Sequence, residues 1–234
     1  MTDKNTDLDF RSYFEDEPYD ESDWGKLDKD QYPNARIYFP KKSMRYIEKQ
    51  LNEKLDILYD ICDSLEYTYE FGRGTHWLGE QGLDYQYTNT SHIAQGWHSE
   101  EIKKITEIVR FLTTWWGFNL NKVPIYNHLL INQYKPKQKL NMHKDNEPQL
   151  TGPIASLTLG ASSFFNYSAT KLIRDGEKKM LDHGDLMIGN REFFDNYYHS
   201  VSPIKFYGPR NRFKNRYPVR YNLTWRTIRS DSNG

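Results

Sequence analysis

A mostly-β domain flanked by helices is predicted from three features of this chain. Between residues 130 and 226 short strand-like runs alternate with turn residues, and two stretches upstream carry apolar residues at helical spacing. The 234 residues suit one core of jelly-roll size with added helices. One core plus a tail is the simplest partition: an acidic segment over residues 1–30 and a single domain over 31–230.

Composition narrows the function. Lys plus Arg number 32 and Asp plus Glu 32, so no bulk field draws the chain to a polyanion, and affinity for nucleic acid would need a local basic surface. The single cysteine, Cys62, excludes an intrachain disulfide and a thiolate metal cluster and fits a reducing compartment. No apolar run reaches the length of a membrane span, and the acidic N-terminus lacks the basic-then-apolar order of a signal peptide. The expectation is a soluble intracellular monomer, cytoplasmic or nuclear.

The elements follow in order. Residues 1–30 are rich in acids and poor in apolar residues, so they are expected to stay without a fixed fold. Residues 36–39 read as a short strand closed by Pro40. From Ser43, in an N-cap position, apolar residues recur at Met44, Ile47, Leu51, Leu55, Leu58, Ile61, Cys62 and Leu65, which predicts one long amphipathic helix with Cys62 buried. Residues 66–98 are aromatic and glycine-rich without clean periodicity, a loop-rich sheet edge in which His76, His92 and His98 are expected on loops or the surface. Ser99 opens a second helix, with Glu100 and Glu101 in its first turn and Gly117 at its end. Strands follow over 130–134, 154–159 and 164–167, with a hairpin turn at 174–177.

The chemistry gathers around His143-Lys144-Asp145. One intervening residue puts an imidazole and a carboxylate on the same side of an extended backbone, where they can share a metal ion. With His199 as third ligand they would make the two-histidine, one-carboxylate face of non-haem iron(II) oxygenases. Alone, such a tripeptide also arises by chance. Residues 220–226 add a second signal: Arg220, Asn222, Thr224 and Arg226 alternate with Tyr221, Leu223 and Trp225. A polar strand face ordinarily meets water. Two guanidiniums with an amide and a hydroxyl between them also suit a dicarboxylate such as 2-oxoglutarate.

These pieces, taken in order, resemble the AlkB family of iron(II)/2-oxoglutarate dioxygenases of nucleic-acid alkylation repair. The matching motifs are Asn132-Gln133-Tyr134, His143-Lys144-Asp145 with Glu147-Pro148, the run 153–160, His183-Gly184-Asp185, Tyr198-His199, and the run 220–226. The resemblance implies a double-stranded β-helix (jelly-roll) core, iron(II) held by His143, Asp145 and His199, and 2-oxoglutarate held by Asn132, Tyr134, Arg220, Asn222 and Arg226, with dioxygen as the other cosubstrate. The second His-x-Asp, at His183, corresponds to a turn of the family that binds no metal. Residues 66–98 correspond to a nucleotide-recognition lid, in which Trp77, Tyr85 and Tyr87 are candidates to stack on a flipped base and Arg73 to meet a phosphate. Asn146 and Glu147 stand where the family contacts the base. Asn146 replaces an acid common there, which leaves other targets open: hydroxylation of a pyrimidine methyl, or demethylation of a normal modified base. A non-catalytic nucleic-acid-binding module is the alternative from another class. The implied reaction is hydroxylation of a methyl on a 1-methyladenine or 3-methylcytosine type of base, in single-stranded DNA, a base flipped from duplex, or RNA, with formaldehyde released. Over residues 205–229, Lys205, Arg210, Arg212, Lys214, Arg216 and Arg229 are expected to form a phosphate-binding rim.

Overall fold

The computed structural model describes residues 21–70, 72–87, 90–115, 125–204 and 218–229. The acidic residues 1–20, Gly117 and the basic residues 205–217 lie outside the described residues.

The N-terminal half contains β1 (Ile37–Tyr38), α1 (Ser43–Leu51), α2 (Asp56–Ser64), β2 (Thr68–Glu70), β3 (Arg73–Gly79), β4 (Asp84–Tyr87), β5 (Thr90–Ile93) and α3 (Glu100–Trp115). Then come β6 (His128–Tyr134), β7 (Leu140–His143), β8 (Leu150–Gly160), β9 (Ser163–Ser168), β10 (Glu177–Leu181), β11 (Leu186–Gly189), α4 (Arg191–Asn196), β12 (Tyr198–Val201) and β13 (Arg220–Ile228). Seven strands form one sheet in the order β1-β11-β8-β13-β6-β3-β2, and four form a second in the order β10-β9-β12-β7. The pairings are antiparallel, and β4 and β5 stand apart as a two-stranded hairpin. This is the strand-rich, helix-flanked architecture that the sequence predicted.

Each face of the large sheet has its own cover. Tyr221, Leu223 and Trp225 of β13 join Ile131, Leu157 and the apolar sides of α1, α2 and α3 in one core. Trp225 is fully buried there and donates its indole N–H to Thr106 Oγ1 of α3 at 2.8 Å, which satisfies its polar atom. On the opposite face, Leu130, Ile154 and Met187 pack with Phe165 and Tyr167 of the small sheet and with Phe193 and Phe194 of α4. The polar residues of β13 point into this second space.

Two expectations change. The long helix from Ser43 to Leu65 is two helices: the chain turns at Asn52, whose φ of 57° is left-handed, and its N–H closes the end of α1 on Glu48 and Lys49 carbonyls. Asparagine tolerates that conformation, and an unbroken apolar stripe does not reveal it. Ser43 is not an N-cap: its hydroxyl donates to Gly184 O at 2.7 Å and accepts from Leu186 N–H at 3.1 Å, fastening α1 to the turn before β11. Gly184 has φ +85°, and a Cβ there would meet the Met44 side chain. Gly184→Ala is therefore expected to lower stability by about 1–3 kcal/mol, read as a lower urea midpoint at unchanged slope.

Ser99 does cap α3, its Oγ accepting from Ile102 N–H at 3.3 Å. Cys62 is fully buried, and burial pushes its thiol far up from its ordinary value. Folded protein should thus react with a thiol reagent such as DTNB only as fast as it unfolds; immediate reaction would contradict this packing.

Candidate metal centre and cosubstrate pocket

The two histidines are brought together by strand register. β12 pairs with β7, and His199 lies directly opposite His143, so their rings sit 4.3 Å apart between centroids. Asp145 follows β7 by two residues and is buried. Its Oδ1 lies 3.4 Å from His143 Nε2 and 3.9 Å from His199 Nε2. The three ligand atoms fall within 4.8 Å of one another, and among the described residues this is the one cluster of its kind.

The donors suit a divalent ion. Asp145 Oδ1 is buried without a hydrogen bond, an orphan that a metal would satisfy. His143 Nδ1 is 2.8 Å from the Asn141 carbonyl, which fixes the proton on that nitrogen and turns the lone pair of Nε2 toward Asp145. Burial, then the neighbouring His143, pushes the His199 imidazole down to about 3, so it is neutral and able to ligate. Burial alone would raise the Asp145 carboxyl, but the Arg226 guanidinium, the largest opposing influence, outweighs it and holds the group well below its ordinary range. Arg226 Nη2 donates to Asp145 Oδ2 at 2.8 Å, leaving Oδ1 for the imidazole side.

The triad opens into a pocket between the sheets, lined on the large-sheet side by Arg73, Leu130, Asn132, Tyr134, Asn222 and Arg226. On β13, Arg220 is 1% exposed. Its Nη2 donates to Asn222 Oδ1 at 2.7 Å and Thr158 Oγ1 at 3.0 Å, while its Nε and Nη1 are buried without acceptors. Asn222 in turn donates to Ser156 Oγ at 2.6 Å and Thr224 Oγ1 at 2.8 Å. The polar face of β13 is thus a buried, hydrogen-bonded wall and not a wet surface.

Several candidate residues stand elsewhere than expected. Arg73 is 3% exposed on β3 and donates from Nε to Asn132 Oδ1 at 2.6 Å, too deep to serve as a phosphate contact at the rim. Trp77 is 7% exposed and stacks on His92, with centroids 4.3 Å apart and planes at 17°, so a protein ring occupies one of its faces. Tyr85 is fully buried, its hydroxyl 3.4 Å from Arg226 Nη1; it props that guanidinium and offers no platform to a base. Residues 66–98 are hence partly main sheet, since β2 and β3 join it, and the hairpin β4–β5 stands free of it. His76 is buried, with Nδ1 2.7 Å from Glu66 O, and is not a surface histidine. Tyr87 lies on β4, and its side chain is outside the described residues, as are Lys205, Arg210, Arg212, Lys214 and Arg216 of the expected rim. Asn146 is exposed and Glu147 half-buried, directly after Asp145. Burial, then Asp145, raises the Glu147 carboxyl. His183 Nδ1 accepts from Gly160 N–H at 2.9 Å and Asp185 Oδ2 from Asp182 N–H at 2.8 Å, so this second His-x-Asp braces a turn. Sequence reasoning missed Arg191 of α4, which donates to the carbonyls of Asp145 and Glu147 at 3.2 and 3.3 Å and pins the ligand loop. Only a fold brings those residues together.

A family model described as the 2OG-Fe(II) oxygenase superfamily matches residues 44–226. The chain belongs to this superfamily. Membership implies iron(II) and 2-oxoglutarate, and His143, Asp145 and His199 are the residues that fit the metal. Within the superfamily, the chain is 35% identical over 102 residues to the alpha-ketoglutarate-dependent dioxygenase AlkB of Salmonella typhimurium, which is 42% of this chain and 43% of that protein. It is also 35% identical over 104 residues to AlkB of Escherichia coli strain K12, with the same shares. The match thus spans less than half the length of these relatives. The solved structure of OsALKBH1 aligns with a TM-score of 0.59 at 19% identity, covering 87% of this chain and 99% of that one, a likeness of fold and consistent with a jelly-roll core. No helix among the described residues is long and apolar enough to cross a membrane.

Proposed function

We propose that the chain is an AlkB-type dioxygenase that demethylates alkylated bases of the 1-methyladenine or 3-methylcytosine kind in nucleic acid. The observation that carries this reading is one pocket lined by the two-histidine, one-carboxylate cluster and by Asn222, to which the buried Arg220 is hydrogen-bonded with two of its nitrogens still lacking acceptors. When bound, iron(II) with 2-oxoglutarate and dioxygen supplies the oxidation that hydroxylates a methyl carbon, with succinate and carbon dioxide as coproducts. The chain's own residues divide the remaining work. Arg226 keeps Asp145 ionised. Arg220, moored by Thr158 and Asn222, receives the distal carboxylate, beside Asn132 and Tyr134. Phe165, Phe194 and Met187 keep the pocket apolar, which strengthens those charge pairs. Asn146 and Glu147, next to the ligand Asp145, stand where a base would be read.

The test is anaerobic titration with iron(II) and 2-oxoglutarate, then exposure to air and mass spectrometry on single-stranded DNA carrying 1-methyladenine or 3-methylcytosine. A methyl-sized mass loss with stoichiometric succinate is expected. Cosubstrate binding without mass loss would redirect the search to other targets, and binding of neither would leave a nucleic-acid-binding module. The basic residues of 205–229 predict that log affinity for single-stranded DNA falls steeply and linearly with log salt; a flat response would remove the phosphate rim.

A further inference from the structure

The pocket holds more positive charge than its acid can balance. Asp145 is the only carboxylate among its lining residues, and its Oδ2 is engaged by Arg226. Arg73 and Arg220 both lack an ion-pair partner among the described residues, although they are 3% and 1% exposed. Each is moored to an asparagine, Arg220 to Thr158 as well. Arg73 Nε donates to Asn132 Oδ1 at 2.6 Å, and Arg220 Nη2 donates to Asn222 Oδ1 at 2.7 Å. Asn132 and Asn222 are register partners on the adjacent strands β6 and β13. Two guanidiniums are therefore tied to neighbouring amides; Arg73 and both amides line the pocket, and Arg220 stands behind Asn222. Each keeps a buried N–H without an acceptor: Nη1 on Arg73, and Nε and Nη1 on Arg220.

Buried donors and unpaired charges of this kind are strongly unfavourable unless a ligand completes them. The ligand must be an anion, because a neutral base cannot balance a guanidinium. It must also be small enough to enter, which excludes a backbone phosphate from Arg73 at 3% exposure. A carboxylate offers two oxygens with about four acceptor sites and can serve two forked donors at once.

We propose that Arg73 is a cosubstrate-binding residue that closes, with Arg220, a two-guanidinium clamp on the distal carboxylate of 2-oxoglutarate. The proposal rests on the cosubstrate reading given above and adds a residue to it from a strand far from the metal motifs. Arg73 then fixes which 2-oxo acid is accepted, by requiring the second carboxylate.

The test uses the full chain loaded with redox-inert Mn(II), titrated calorimetrically with 2-oxoglutarate and with 2-oxobutyrate, which keeps the chelating 2-oxo acid end and lacks the distal carboxylate. Arg73→Met is expected to weaken 2-oxoglutarate by about 30-fold or more, the usual consequence of breaking a buried charge-assisted contact, and to leave 2-oxobutyrate unchanged. Arg73→Lys keeps the charge, loses the fork, and serves if the methionine variant does not fold; it should lie between wild type and Arg73→Met for 2-oxoglutarate alone. Loss of both ligands to the same extent would make Arg73 a support for Asn132 and overturn the clamp, as would 2-oxoglutarate affinity within about twofold of wild type. If the wild type binds 2-oxoglutarate no better than 2-oxobutyrate, the cosubstrate reading itself fails and the clamp with it, a result separable from the other two.

Discussion

Asp145→Ala is expected to lose iron(II) binding and turnover together and to destabilise the metal-free protein. The metal effect follows from removing the only anionic ligand of a three-residue cluster, and bound iron after dialysis should fall to background. The stability effect has a separate cause: Arg226 Nη2 is buried against Asp145 Oδ2 at 2.8 Å, and breaking a buried pair from one side typically costs about 3–5 kcal/mol. Asp145→Asn separates the two, because an amide oxygen still accepts from Arg226 yet carries no charge for the metal; iron should be lost at a smaller penalty in urea. The pH dependence has a definite sign. The folded carboxyl lies well below its ordinary value of 3.8, so its contribution is fully present above that value and is lost as pH falls through the lower, folded one. The metal-free wild type should weaken over that acid window, and Asp145→Asn should lack that part of the slope. An Asp145→Ala protein as stable as wild type and still holding iron would remove both assignments.

Arg220→Met should abolish measurable 2-oxoglutarate binding while making the ligand-free protein as stable as wild type or more so. The guanidinium is 1% exposed, and burial has already pushed it down to about 10, a sign that the site does not compensate the charge without an anion. Replacing such a group by an apolar side chain of similar volume is neutral or stabilising by about 1–4 kcal/mol. In wild type, cosubstrate should raise the melting temperature by mass action; in the variant that increment should vanish from a higher baseline. Continued succinate formation by Arg220→Met would exclude its role at the distal carboxylate, and a lower baseline would mean a structural role through Thr158 and Asn222.

Much of the site was legible because strand periodicity is local. The alternation in residues 220–226 separates Tyr221, Leu223 and Trp225 from Arg220, Asn222, Thr224 and Arg226, and the structure keeps that division. Periodicity does not say whether the polar side meets water or a second sheet, and here β7, β9 and β12 decide it. The pairing of Arg226 with Asp145 spans 81 positions and leaves no local trace. Three lid candidates lie deeper than expected for a related reason: the aromatic content of residues 66–98 is plain, but ring direction is tertiary, and Trp77, Tyr85 and Arg73 all turn inward. Asn52 broke a helix whose apolar stripe continues through the break.

The central position of β13 has a kinetic meaning. Its backbone is bonded on both sides, to β6 and β8 through most of its length, so the amides of 220–226 can exchange with deuterium only when the whole domain opens. The hairpin of β4 and β5 shares no ladder with that sheet and is held to it by side chains such as Tyr85 and His92, so its amides are expected to exchange sooner. The amides of β13 should therefore stay protected long after those of the hairpin have exchanged, a rigidity that belongs to the strand from which Arg220, Asn222 and Arg226 project.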